Sequence, residues 1–402
     1  MSQNTKITLK HILTHNQNWW HFYEKNAPKI RIAILVCIVK LLSCRNTVRG
    51  YKMYHCANPE CHYVKQVPFT CKCKACSSCG KKATEVWLQK QTLVLPDTPW
   101  QHITFTMPSE LWNFFWLNRS LLNLISAIAA KCIKKIAKKK KLLVGIFVAI
   151  HTFGRDLKRN VHIHLSVTTG GLSHDKKQWE NIFFHQTTLM RMWRYDIIAL
   201  FHKMHQQRKL SLPPSLQKKL NHTFTFSQFL QQLYQKFWRV HCAKPSDNYK
   251  KNLAYFSRYI KRPPIAESRL KHYNGSEVTF RFLDHKTKTY RLFTLSHEQF
   301  ISRFIWHIPD IGFRMIRYYG FLANRVRGTL LPIVSQVLGL QPKEPARSAP
   351  TYLSLMLQNF NVNPLACILC GKQLLFSGFH FGKTSVFDLL PLHKQFALLQ
   401  TI

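Results

Sequence analysis

Six cysteines crowd into one short stretch: Cys56-x4-Cys61, then Cys71, Cys73 and Cys76-Ser-Ser-Cys79-Gly80. The chain opens on the polar run MSQNTKITLKHILTHNQ, which predicts no secretory leader. Clustered thiols in such a chain point to metal rather than to disulfides. A structural zinc ion takes four ligands in a tetrahedron and so fixes the segments that carry them. The expected set is Cys56, Cys61, Cys76 and Cys79, with Cys71 either replacing one of them or serving a second ion. His55 and His62 are reserve ligands that read more simply as surface histidines. The place of Cys73 is left open. So is that of Cys367-Ile-Leu-Cys370-Gly371, which repeats the knuckle shape without a second pair nearby.

Charge narrows the partner. With 59 Lys+Arg against 17 Asp+Glu, the net charge is +42 and is spread along the whole chain. Such a surface repels itself unless a polyanion covers it, so nucleic acid is the expected partner. Scarce carboxylates also argue against a nuclease built on an acidic metal triad. The 28 Phe, 14 Tyr and 10 Trp supply a core and rings for base stacking. The longest apolar run, Ile32 to Val39 with Leu41 and Leu42, is broken by Lys40 and is too short to span a bilayer. The expected compartment is the cytoplasm, in association with the nucleoid, with no membrane contact.

Chemistry is concentrated further along. Val161-His162-Ile163-His164-Leu165-Ser166-Val167-Thr168 alternates aliphatic with polar, which predicts a half-buried strand with both histidines on its wet face. Two imidazoles on one face can chelate one divalent cation. Leu142 to His151 reads as a central strand, paired antiparallel with the histidine strand through the turn Phe153 to Asn160. About ninety residues on, Tyr255 and Tyr259 stand four apart on a predicted helix from Lys250 to Tyr259, so they share a face. A cation that polarises a phosphodiester, with two phenols as nucleophiles, suits an enzyme that cuts and rejoins DNA strands. The rival readings are histidines on a solvated strand and tyrosines in an amphipathic core.

Elsewhere the pattern is coarser. Residues 1 to about 50 read as aromatic-rich helices; His102 to Met107 alternates as a strand, and a long helix is expected from Ser109 to about Ala137. The lysines Lys134, Lys135 and Lys138 to Lys141 form either a solvated helix end or a phosphate-contacting patch. Val278 to Phe282 and Thr289 to Phe293 predict a hairpin. Gly312 to Arg327 interleaves arginines with rings, which suits either single-stranded DNA or a packed element with a basic edge.

With these parts in order, the chain resembles the two-tyrosine HUH transposases of rolling-circle insertion sequences, the insertion-sequence ninety-one family. The resemblance rests on Leu42-Ser43-Cys44 through Gly50 to Tyr54-His55-Cys56, on Cys76-Ser-Ser-Cys79-Gly80-Lys81-Lys82, and on His151 to His164. It continues with Gly170-Gly171-Leu172, Tyr255-Phe-Ser-Arg-Tyr259-Ile-Lys-Arg-Pro-Pro264 and Arg317 to Arg325. It implies an α+β fold: an HUH endonuclease core, an antiparallel sheet flanked by helices, behind an N-terminal helical and zinc-binding domain. The expected divisions are residues 1–95 (helical and zinc-binding), 96–270 (HUH catalytic, with the two-tyrosine helix) and 271–402 (basic, aromatic, DNA-binding).

The resemblance also implies roles. His162 and His164 hold Mg²⁺ or Mn²⁺, and His151 is the candidate third ligand. Tyr255 and Tyr259 attack in turn through a 5′-phosphotyrosine, while Arg258, Lys261 and Arg262 favour the phenolate and grip DNA. Zn²⁺ serves structure. The expected partner is DNA, mainly single-stranded or hairpin element ends. A rolling-circle replication initiator or relaxase, or a non-catalytic repressor derived from a transposase, are the alternatives.

Overall fold

The computed structural model describes residues 7–257, 263–284, 287–341 and 351–382. Its central sheet has five antiparallel strands in the order Ile316–Gly320, Gly145–Phe153, Arg159–Thr168, Trp100–Thr106 and Val240–Cys242. The histidine strand, Arg159–Thr168, is therefore central, as the resemblance implies. It pairs with Gly145–Phe153 in the expected antiparallel register, His151 facing His162.

Period-two alternation sorts the two faces of this sheet. Val161, Ile163, Leu165 and Val167 join Ile103, Phe105, Ile146, Val148 and Ile150 in the main core, against helices Leu121–Lys139 and Gln186–Gln206. The opposite face is covered partly by helices Ser77–Val94 and Tyr249–Ser257, whose Trp87, Leu253 and Phe256 pack on Trp100, Phe147 and Ala149. The polar positions of the histidine strand belong to this second face.

The long helix expected from Ser109 is broken in two places. A 3-10 turn at Ser109–Leu111 and a short helix at Phe114–Leu117 precede the main helix, Leu121–Lys139. Asn118 accounts for the second break: its backbone leaves the helical region (φ −125°, ψ 69°), and its amide donates to the carbonyls of Phe114 at 3.0 Å and Ser211 at 2.8 Å. A short polar side chain here competes with the helix for backbone partners. Lys134, Lys135 and Lys138 to Lys141 are exposed at the end of the main helix.

Helices Leu9–Thr14, Asn18–Asn26 and Ile32–Leu42 fill the N-terminal region. Ile32–Leu42 is apolar all round because it is buried nearly all round. These helices pack against the predicted hairpin, observed as Glu277–Leu283 with Tyr290–Ser296, and against helix His297–Trp306 through Phe280, Phe300 and Phe304. A separate three-stranded sheet, ordered Leu374–Phe381, Gly50–Cys56, Val64–Pro68, joins regions from opposite ends of the chain.

The segment from Gly312 to Arg327 contributes an edge strand. The Tyr318 hydroxyl accepts from Trp87 Nε1 at 2.8 Å, the Tyr319 hydroxyl meets Ser126 Oγ at 3.1 Å, and Phe321 is fully buried. Those rings are packed, whereas Arg314, Arg325 and Arg327 stay exposed. Gly320 closes the strand at φ +64°, where an added Cβ would lie 1.7 Å from the Val144 carbonyl oxygen. No helix among the described residues is long and apolar enough to cross a membrane.

Candidate active site and thiol clusters

The central strands bring three imidazoles to one place. Ligand-capable nitrogens of His151, His162 and His164 lie within 4.8 Å of one another. His162 Nε2 and His164 Nε2 are 3.1 Å apart. Two imidazoles bound to one cation at about 2.1 Å each would stand at nearly that separation. His162 Nδ1 lies 2.9 Å from the Asn160 carbonyl oxygen, so Nδ1–H donates there and the Nε2 lone pair faces the cluster. The residues present therefore fit a divalent cation.

A fourth histidine, absent from the expectations, orients His164. His102, on the adjacent strand Trp100–Thr106, places Nε2 3.0 Å from His164 Nδ1, and the Thr104 hydroxyl stands 3.4 Å from that same nitrogen. This leaves His164 Nε2 toward the cluster. His102 was legible in principle. His102 and Thr104 alternate with Ile103 and Phe105, but that polar face matters only once the strand is known to pair with the histidine strand.

Electrostatics keep these rings neutral. Burial lowers His102 to about 3, with the charge of His241 adding to the effect. Burial likewise holds His164 well below its ordinary value, helped by His162, His151 and His102. Neutral imidazole is the form that offers a lone pair to a metal.

The tyrosine helix lies over the same face. Asn252 fastens it: the Ser166 hydroxyl donates to Asn252 Oδ1 at 3.0 Å, and Asn252 Nδ2 donates to the Trp100 carbonyl at 3.3 Å. Phe256 is fully buried, its ring edge-on to Phe147 at 4.5 Å. Tyr255, one position earlier on the helix, is 40% exposed and sits edge-on to His102 at 5.0 Å between centroids. The phenol ring thus touches the histidine that contacts His164. Tyr259, Arg258, Lys261 and Arg262 lie outside the described residues.

The cysteines separate into two tetrads, and this corrects the expected grouping. Cys76 and Cys79 lie with Cys71 and Cys44, whereas Cys56 and Cys61 lie with Cys367 and Cys370; within each tetrad all sulfurs fall within 4.8 Å. Strand Gly50–Cys56 and its turn carry the first two thiols into the separate three-stranded sheet, away from the helix that begins after Cys76. Cys44, just past the end of helix Ile32–Leu42, is the ligand candidate that local spacing did not reveal. Cys73 belongs to neither tetrad. Its sulfur lies against that of Cys37, with Cα atoms 6.1 Å apart.

Within the first tetrad, Cys71 and Cys79 sulfurs are 3.5 Å apart, Cys44 and Cys76 3.8 Å, and Cys44 and Cys79 3.9 Å. Four sulfurs about 2.3 Å from one zinc ion would stand about 3.8 Å from each other. Thiolate character falls on two of them. The Cys71 and then the Cys76 thiol hold Cys44 down to about 7. Cys79 is lowered too, by Cys44 first and then by Cys71 and Cys76. The donor set fits zinc.

An antiparallel sheet bearing clustered imidazoles, flanked by helices and joined to an N-terminal helical region with a cysteine cluster, is an HUH-type α+β core with a zinc domain. The chain belongs to the IS91 family of insertion-sequence transposases. Residues 145–329 match the family model "Putative transposase" (Y2_Tnp), and residues 14–107 match the "Transposase zinc-binding domain" (Zn_Tnp_IS91). The chain is 40% identical over 382 residues to the "Transposase for insertion sequence element IS801" of Pseudomonas savastanoi pv. phaseolicola, covering 94% of this chain and 92% of that one. It is 29% identical over 314 residues to the "Putative transposase y4qJ" of Sinorhizobium fredii (strain NBRC 101917 / NGR234), covering 76% and 78% respectively. No solved structure matches. The protein is a transposase that binds DNA and carries a zinc-binding domain.

Proposed function

We propose that this transposase cuts and transfers single DNA strands through a 5′-phosphotyrosine, with an imidazole-held divalent cation at the scissile phosphate. One observation carries the reading: the His151, His162 and His164 cluster and the ring of Tyr255 share one face of the sheet, with His102 between them. A cation held by these imidazoles would draw charge from the phosphate and make it a better electrophile. Tyr255 supplies the attacking phenol oxygen, forming a P–O bond as the 3′ oxygen leaves. Tyr259, four residues on, performs the second transfer, and Arg258, Lys261 and Arg262 neutralise phosphate and favour the phenolate.

The donors also bear on the choice of cation. Three imidazoles without a carboxylate suit Mn²⁺ better than Mg²⁺, which prefers oxygen ligands. The thiols of Cys44, Cys71, Cys76 and Cys79 hold the structural zinc of the N-terminal domain. The substrates are single-stranded or hairpin element ends, and the work takes place at the nucleoid.

The test is covalent trapping. Incubated with a single-stranded oligonucleotide of the element end and Mn²⁺, the protein should yield an adduct that mass spectrometry locates at Tyr255 or Tyr259. Tyr255→Phe and Tyr259→Phe should each leave partial cleavage, and the double variant none. An adduct that persists in the double variant overturns the assignment, and no adduct in the wild type would favour a repressor.

A further inference from the structure

The second thiol tetrad lies far from the histidine site in sequence and plays no part in the proposed chemistry. We infer that Cys56, Cys61, Cys367 and Cys370 form a second zinc site, split across the chain, which locks the C-terminal segment onto the N-terminal zinc module. Cys56 and Cys370 sulfurs are 3.3 Å apart and Cys61 and Cys367 sulfurs 3.8 Å, across sequence separations of 314 and 306 residues. Sulfurs on one zinc ion stand about 3.8 Å apart, so the four thiols are placed for one tetrahedral ion.

Each pair is presented by a tight turn. Cys61 N–H donates to the Asn58 carbonyl at 3.0 Å and Cys56 N–H to the Tyr63 carbonyl at 3.1 Å. On the other side, Gly371 N–H donates to the Cys367 carbonyl at 3.0 Å and Cys367 N–H to the Lys372 carbonyl at 2.7 Å. Gly371 sits at φ +72°, a conformation that glycine adopts without strain. The backbones are then stitched together. Leu374–Phe381 pairs with Gly50–Cys56, Ala57 N–H donates to the Gln373 carbonyl at 2.9 Å, and Lys65 Nζ reaches the Pro364 carbonyl at 2.7 Å. Two facing knuckles, each closing the end of a paired segment, make a metal-binding ribbon whose halves come from opposite ends of the chain.

Energetics also call for the ion. Among the described residues of 351–382, the buried apolar side chains are Leu355, Pro364, Cys367 and Leu374. The apolar cluster at the junction consists of Tyr54, Cys56, Cys367 and Leu374, so half of its buried members are the proposed ligands. A segment with so little core needs a staple to hold its place, and metal binding is folding free energy for such a unit. Since the site shares no residue with the first tetrad or the histidine cluster, it can be lost without loss of either.

Zinc content of the purified full-length protein, measured by inductively coupled plasma mass spectrometry, tests this directly. Wild type should carry two zinc ions per chain, Cys367→Ser/Cys370→Ser one, and Cys56→Ser/Cys61→Ser one. Hydrogen exchange at Leu374–Phe381 should quicken in both variants while the histidine strand stays protected. A measurement on unmodified protein covers the case in which the variants misfold. Cys370 is exposed, so its thiol should be alkylated rapidly by iodoacetamide only after a chelator removes the metal. One zinc per chain in wild type, or prompt alkylation of Cys370 in zinc-loaded protein, overturns the inference. His164→Ala, which tests the proposed strand transfer, should keep both zinc ions, so the two readings fail separately.

Discussion

The thiol tetrads and the histidine cluster both gather metal-ligating atoms, yet they differ in every property that decides what a metal can do. Cys44, Cys71, Cys76 and Cys79 offer four sulfurs, enough to close a tetrahedron and leave no position for substrate. His151, His162 and His164 offer three nitrogens, which leaves coordination positions open. Thiolates cancel the charge of the ion they bind, whereas neutral imidazoles pass its charge on undiminished to whatever enters the open positions. On the proposed function, one arrangement holds chain segments together and the other keeps positions open for a phosphate. The contrast predicts that removing ligands from the two kinds of site produces failures of different kinds.

The largest effect should come from the open site. His164→Ala removes an imidazole whose Nε2 faces His162 Nε2, and on the proposed function Mn²⁺-dependent nicking should fall by about 10³-fold or more, as several kcal/mol of charge stabilisation disappears. Affinity for the same oligonucleotide, read by fluorescence anisotropy, should change less than about twofold, because phosphate contacts elsewhere dominate binding. A parallel collapse of affinity would mean that this cluster is part of the fold rather than of the chemistry. Cys76→Ser should show the reverse. It costs the first tetrad a sulfur, so the thermal midpoint should drop by several degrees and bound zinc should fall, whereas added Mn²⁺ should restore nothing.

How much of this contrast could be read from the sequence follows from the range over which each pattern acts. The histidine strand and its antiparallel partner were legible from alternation and one turn, but the expected wet face is not observed: helices cover it, and His164, Ser166 and Thr168 are buried. The helix that carries Tyr255 matches the expected one as far as Ser257, while Tyr259 lies outside the described residues. The thiol grouping was not legible. Knuckle spacing shows which cysteines lie close along the chain, but Cys44 meets Cys71 only because the N-terminal helices fold back, and Cys56 meets Cys370 through a 314-residue closure. The break in the long helix escaped for a related reason, since Asn118 bonds to Ser211, a partner 93 residues away. Local periods fix local structure, and contacts across long closures need the fold itself.

A smaller effect should separate ligand from positioning residue. His102 contacts His164 Nδ1 and stands outside the three-histidine cluster, so His102→Ala should lower metal affinity and nicking by about 10- to 100-fold. The signature is in the metal dependence: the Mn²⁺ concentration for half-maximal nicking should rise, and saturating Mn²⁺ should recover much of the rate. His102→Gln, which keeps a polar partner for Nδ1, should recover part of the loss without excess metal. If excess Mn²⁺ recovers nothing in either variant, His102 acts on Tyr255, whose ring it touches, rather than on the cation.

His307 sharpens the comparison from the other direction, because it is a buried imidazole outside the three-histidine cluster. Its Nε2 lies 3.0 Å from the Leu157 carbonyl oxygen and its Nδ1 3.3 Å from the Thr152 hydroxyl, so both nitrogens are spent inside the fold. Burial lowers it to about 3, with Arg119 and Arg159 adding to the effect against the Leu157 hydrogen bond. The unfolded chain protonates this ring near pH 6.5, so below that pH the unfolded state binds the extra proton. Stability from His307 is therefore complete above about pH 6.5 and is lost as pH falls toward 3, at up to about 1.4 kcal/mol per pH unit. His307→Gln should flatten that decline in urea melts between pH 6.5 and 5 while leaving the Mn²⁺ requirement for nicking where it was. An equal acid dependence in wild type and variant would assign the decline to the other buried imidazoles, His102 and His164.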